Sequence, residues 1–147
     1  MVRDGDSMGS INDKDLADFL ASCKTVAVVG LSADPHKASY SVASYLQSQG
    51  YEIVPVNPNA RTVLGRKCED CLRDVVEPID IVDVFRPADE VPQIIEEAIA
   101  IGAKAVWLQS GITHEQAEQQ GKDAGLLVIS NRCLMKEHQR LLARAQL

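Results

Sequence analysis

The polar and charged residues that could do chemistry in this chain gather just after short apolar runs. Gly30, Leu31, Ser32, Lys37 and Ser39 follow the first run; Asn57 and Pro58 follow the second; Phe85 and Arg86 close the third. Gln109, Ser110 and Gly111 follow the fourth, and Asn131, Arg132 and Cys133 the fifth. The set is rich in hydrogen-bond donors and holds three cations, Lys37, Arg86 and Arg132. It offers no carboxylate pair, no metal-ligating cluster and no nucleophile–base–orienter triad. That is the chemistry of a site that binds an anion, not of a hydrolase.

The first of these places is the most specific. Thr25-Val26-Ala27-Val28-Val29-Gly30-Leu31-Ser32 reads as a buried strand ending at a glycine. The polar loop Ala33-Asp34-Pro35-His36-Lys37 then leads into a helix at Ala38-Ser39. A strand, a glycine and a helix start in that order present backbone N–H groups to a phosphate. Gly30 allows close backbone approach, Ser32 adds a hydroxyl and Lys37 a compact positive charge. A tight turn with a solvated lysine is the plainer alternative. Dinucleotide sites carry Gly-x-Gly here and an acidic residue about twenty residues on. This chain has Gly30-x-Ser32 and then Asn57-Pro58, with Arg61 as a possible partner for an NADP phosphate. Both departures count against a nicotinamide cofactor.

Phe85 and Arg86 suit stacking on a base and pairing with a phosphate, or else a core ring and a surface cap. Trp107 reads as packing. His36, His114 and His138 have no partner for catalysis in the sequence, and residues 136–140 read as a solvated face. Cys133, beside Arg132 at the start of a helix, is either a thiol facing the cleft or a small buried side chain; free cysteine is often the latter. Cys68-Glu69-Asp70-Cys71 has C-x-x-C spacing, but zinc needs four ligands and there is one such pair. A redox role would place the pair at a helix start, and this one follows a loop.

The elements that must position these residues follow from periodicity. Asn12 or Asp13 caps a helix over Leu16, Phe19 and Leu20. Strands are expected at Thr25–Val29, 51–56, 79–85, Ala105–Leu108 and 126–129. Helices are expected over 39–49, 89–101, 113–124 (capped by Thr113) and 134–143, with Gly50, Gly102 and Gly125 after the first three. Residues 59–73 carry weak local structure. Strands alternating with helices predict an α/β architecture: one doubly wound, Rossmann-like domain of five parallel strands, helices on both faces, in the order 3-2-1-4-5. The switch point then lies between strands one and four. Residues 1–11 read as a mobile tail and 12–147 as the single domain.

Composition bounds the partners. The 147 residues are 46% hydrophobic and 24% charged, with formal net charge −6. That is an ordinary globular balance, and an acidic chain without a basic cluster argues against nucleic acid. No apolar run is long enough to cross a bilayer, and the polar start has no apolar signal core. A cytoplasmic setting is expected, with its cysteines reduced.

Taken together these stretches resemble the CoA-binding domain family, stand-alone proteins similar to the first domain of the succinyl-CoA synthetase α subunit. The resemblance spans about residues 25–142. It is carried by the Gly30 loop with Ser39-Tyr40-x-Val42-Ala43, and by Tyr51-x-Ile53-x-Pro55-Val56-Asn57-Pro58. Further on, it is carried by Val82-Asp83-Val84-Phe85-Arg86, Gly102-Ala103-Lys104-Ala105-Val106-Trp107-Leu108-Gln109 and Arg132-Cys133-Leu134. It implies coenzyme A on the rim: pyrophosphate at residues 30–37, adenosine near Asn57, Pro58, Phe85 and Arg86, and pantetheine past Gln109-Ser110-Gly111 toward Asn131. The chain ends at Leu147, without room for the synthetase's second domain and its phosphorylated histidine, so that reaction is not implied. Asn131 also stands where relatives often have aspartate.

The expected function is therefore a module that binds CoA or acyl-CoA without catalysis of its own. The alternatives are a small NAD(P)-dependent oxidoreductase and a regulatory subunit that senses a nucleotide through a protein partner.

Overall fold

The structure, a computed structural model, describes residues 11–143. The expected tail falls almost wholly outside them. Along the chain, α1 (Asp13–Ser22) is followed by β1 (Thr25–Val29), α2 (Ala38–Ser48) and β2 (Glu52–Val56). A small hairpin of β3 (Thr62–Val63) and β4 (Arg66–Lys67) leads to β5 (Ile81–Val84) and α3 (Val91–Ala100). Then come β6 (Ala105–Leu108), α4 (Glu115–Asp123), β7 (Leu127–Ile129) and α5 (Leu134–His138), which runs on as a π-helical turn, Gln139–Ala143.

Local chemistry explains most boundaries. The Asn12 side chain accepts from the Asp15 N–H at 2.8 Å, starting α1 as an Asx cap does. Helix α4 is capped by His114, whose Nδ1 accepts from the Ala117 N–H, and not by Thr113 as expected; its ring reaches the N3 amide that a threonine one residue earlier does not. Residues 59–73 hold more structure than expected: the hairpin and a 3₁₀ turn at Leu72–Asp74.

Five strands form one parallel sheet with apolar side chains alternating to its two sides. Ala27, Val29, Val82 and Val84 join Ile94, Ile95 and Ala98 of α3 in one core. Val26, Val28, Ile81 and Trp107 join Leu16 and Leu20 of α1, Leu46 of α2 and Leu134 of α5 in the other. Burying each such large side chain contributes about 1.5–3 kcal/mol.

The α/β class and the five parallel strands are as expected; the strand order is not. The sheet runs β2-β1-β5-β6-β7, or 2-1-3-4-5 by strand number, in place of 3-2-1-4-5. Pro55 gives the physical reason. A proline has no N–H for a ladder and belongs on an edge strand. The Val56 carbonyl faces inward, accepting from the Gly30 N–H at 2.8 Å, and the Pro55 carbonyl faces outward, accepting from the Glu69 N–H at 2.9 Å. The missing N–H therefore lies on the outer edge, which a single bridge at Glu69 covers. The third strand, β5, pairs instead with the free side of β1, Val26 opposite Ile81. The switch point moves with it, from between strands one and four to between β1 and β5.

The last helix also departs from expectation. His138, read as part of a solvated face, is buried. Its Nδ1 lies 2.8 Å from the Tyr45 hydroxyl, and both Tyr45 and Tyr51 pack edge-on against its ring.

Candidate functional site

The new switch point brings Gly30, after β1, against Phe85 and Arg86, after β5. Gly30 has φ +89°, and a Cβ there would lie 2.8 Å from the Phe85 carbonyl and from Arg86 Cδ. The need for glycine arises from this strand-to-strand contact and from the positive φ, a reason separate from the phosphate approach expected from sequence. Beyond it the loop is internally braced. The Ser39 hydroxyl accepts from the Ser32 N–H at 3.0 Å, the Ser32 hydroxyl from Asp34, and the Asp34 carboxylate from the His36 N–H. That last N–H holds the exposed Asp34 carboxyl below its ordinary value. Lys37 occupies the N-cap of α2, is exposed, and supplies no side-chain cap, so the helix start remains open.

Two cavities open along this rim and share Arg86. The smaller, about 210 Å³, has Gly30, Asn57, Pro58 and Arg86 in its wall together with Asp70, Cys71, Glu90, Gln93 and Glu97. Arg86 is its one cation among the described residues, and it is already engaged: Nε and Nη2 donate to the Glu90 carboxylate at 3.0 and 2.7 Å. That pairing holds Glu90 below its ordinary value. The larger cavity, about 730 Å³, lies between α2, the ends of β5 and β6, and the start of α5. Its wall is mainly apolar, with Val42, Phe85, Pro87, Ile112 and Met135, and it also receives Gln109, Ser110, Cys133, Arg86 and Lys136. No carboxylate lines it.

Gln109 sits at the floor of the larger cavity and is only 5% exposed. Its Nε2 donates to Oδ1 of Asp83, which is fully buried on β5 between Val28 and Trp107 in the sheet register. Oδ2 of Asp83 has no hydrogen-bond partner. Burial pushes the Asp83 carboxyl up to about 7, with the Gln109 hydrogen bond opposing.

Several expected site residues serve the scaffold. Leu31 is wholly core. The Asn57 side chain is a strut: Nδ2 donates to the Leu31 carbonyl at 2.9 Å and Oδ1 accepts from the Asn59 N–H. Asn131, at φ +58°, uses Oδ1 to accept from the Gly111 N–H at 2.7 Å and so ties the ends of β6 and β7 together; asparagine tolerates that backbone well. Arg132 is exposed, with its guanidinium 3.5 Å from Glu137 and its carbonyl receiving the Trp107 indole N–H at 2.9 Å. Trp107 is packing, as expected. Leu31, Ser32, Lys37, Ser39, Gly111, Asn131 and Arg132 line neither cavity.

The sequence reading did not single out Asp83 as a site residue, nor the carboxylate and amide wall of Glu90, Gln93 and Glu97. That wall was legible: spacings of three and four put the three residues on one helix face. Cys68 is buried while Cys71 lines the smaller cavity, and no group of metal-binding side chains occurs among the described residues.

With this geometry in view, the likenesses to known proteins can be placed. Residues 24–139 match the family model for the CoA binding domain. The chain is 39% identical over 124 residues to the uncharacterized protein YneT of Bacillus subtilis, covering 84% of this chain and 92% of that one. It is 35% identical over 95 residues to the ADP-forming acetate–CoA ligase II of Archaeoglobus fulgidus, covering 63% of this chain but only 14% of the ligase. A hypothetical protein from Pyrococcus horikoshii superimposes with a TM-score of 0.88 at 37% identity, covering 97% of this chain and 98% of that one.

Proposed function

Because the chain belongs to the CoA-binding domain family, we propose that it binds coenzyme A across the C-terminal rim of β1, β5 and β6, as a binding module without chemistry of its own. The observation that carries this reading is the pair of unlike cavities meeting at Arg86. Coenzyme A is itself bipartite, a nucleotide joined through phosphates to a long, largely apolar arm.

The smaller cavity, with its acidic and amide wall, suits a neutral base bearing an amine and is a poor place for a phosphate. The phosphates fit between the cavities, where the open start of α2, Lys37 and Arg86 offer N–H groups and positive charge. Arg86 must share or leave Glu90 to pair with them. The arm fits the larger cavity, whose carboxylate-free wall reaches Cys133. Nothing in this arrangement requires a reaction: of its two buried acids among the described residues, Asp83 lies beneath the floor of the larger cavity, and Glu97, on the wall of the smaller, accepts from the Gln93 amide at 3.0 Å. The ligase that resembles this chain is about seven times its matched length, so its reaction is not extended to the protein.

Titration calorimetry with coenzyme A and, separately, with NADPH tests the reading. Saturable heat with coenzyme A and none with NADPH supports it. The opposite pattern favours a nicotinamide site and overturns it.

A further inference from the structure

We propose that Asp83 and Gln109 form a donor–acceptor selector at the floor of the larger cavity. Ionised Asp83 takes the Gln109 amide hydrogens and leaves the Gln109 carbonyl oxygen to accept an amide N–H from the ligand chain. This rests on the coenzyme A reading and names the part of that ligand the cavity recognises, a secondary amide of the arm.

Three observations carry it. Gln109 lines the cavity yet is 95% covered, so its amide is held and not solvated. Its Nε2 is committed to Asp83, while Oε1 has no donor among the described residues. Asp83 has an oxygen left over, Oδ2, with no partner. A carboxylate can only accept, so it fixes the amide with its N–H inward. A carboxylic acid can donate, and its natural partner is the Gln109 carbonyl, which turns the amide over and puts its N–H toward the cavity. One proton therefore reverses the polarity of the floor. A ligand N–H that met an acceptor then meets a donor.

The surroundings leave this proton to Asp83 alone. Beside it in the sheet stand Val28 and Trp107, and α2 brings Ser41 and Val42 to the cavity; none titrates in the relevant range. The charged groups of the cavity, Arg86 and Lys136, are exposed at its rim. No charged side chain contributes to the displacement of Asp83, which arises from burial and places its titration near neutrality. Asp83 is thus a positioning residue: it acts through Gln109 and does not touch the ligand.

The test compares two ligands over pH 6.0–8.5 by calorimetry: coenzyme A, and the β-methyl ester of 3′-phosphoadenosine 5′-diphosphate, which carries the same 3′-phosphate and pyrophosphate diester but no arm. Their ratio cancels the titration of the phosphates. The ratio of affinities should favour coenzyme A about five- to tenfold more at pH 8 than at pH 6, the worth of one hydrogen bond. Gln109→Met should lose that pH difference and weaken coenzyme A by a similar factor while leaving the methyl ester unchanged. Asp83→Asn should flatten the profile. The wild-type comparison stands even if a variant does not fold. A pH-independent ratio in the wild type, or a pH difference that survives Gln109→Met, overturns the selector while coenzyme A binding stands. Binding of neither ligand overturns both.

Discussion

Two aspartates three residues apart, Asp80 just before β5 and Asp83 within it, live in opposite circumstances. Asp80, at the N-terminal end of the sheet, has its carboxylate fully used. Oδ2 accepts from the Lys24 and Thr25 N–H groups at 2.7 and 3.1 Å, and Oδ1 pairs with Lys104 at 3.2 Å. Its carboxyl sits below the ordinary value: burial opposes, and those donors prevail. Asp83, at the C-terminal end, has one partner, one orphan oxygen and no cation. The same contrast runs across the two ends of the sheet. At the N-terminal end Tyr51 donates to the Leu20 carbonyl and Tyr45 meets His138, so polar groups are closed on one another. At the other end the Gln109 side-chain oxygen and the start of α2 are left open among the described residues. Closed polar groups stabilise a fold; open ones held in place are what a ligand can use.

The largest way to break this comparison is a pH titration of stability. The folded state holds the Asp83 proton between about pH 4 and 7, where the unfolded chain has released it. Stability therefore falls as pH rises through that window, by about 1.4 kcal/mol per unit from this group. Asp83→Asn should remove the slope and leave the variant the more stable of the two at pH 8 by urea unfolding. Asp80→Ala should do the reverse, costing about 2–3 kcal/mol at pH 7 through three lost charge-assisted contacts. If the two substitutions act alike, the contrast is wrong.

A smaller effect is expected at Gly30. Gly30→Ala puts a Cβ into the Phe85 carbonyl at a positive φ and should cost about 1–3 kcal/mol in thermal unfolding. It should weaken coenzyme A as well, because the same contact seats Arg86. The smallest effect belongs to His138, which burial holds neutral and below its ordinary value. Here the unfolded state gains the proton first, so stability is present above about pH 6.5 and is lost as pH falls below it. This opposes the Asp83 slope and is best seen in the Asp83→Asn background. Tyr45→Phe should cost about 1 kcal/mol at neutral pH.

What could be read from the sequence was local. Glycines after helices, the Asn12 cap and the apolar runs marked nearly every element, because those signals lie within a few residues of what they determine. The rim positions followed from the strand ends. The strand order did not, although Pro55 carried the clue that its strand is an edge. The Asp83–Gln109 contact joins residues 26 apart in sequence, and only the pairing of β5 with β6 brings them together. For the same reason Asn57 and Asn131 read as ligand donors: the backbone groups that they brace belong to other loops. His138 is buried by Tyr45 and Tyr51, more than eighty residues earlier in the chain.

The most direct measurement of the central claim is a calorimetric titration of the folded protein with coenzyme A at pH 8. The account predicts saturable one-to-one binding, with adenosine 3′,5′-bisphosphate competing more weakly for the same site. No heat and no thermal shift at millimolar coenzyme A, with the protein folded, would contradict it.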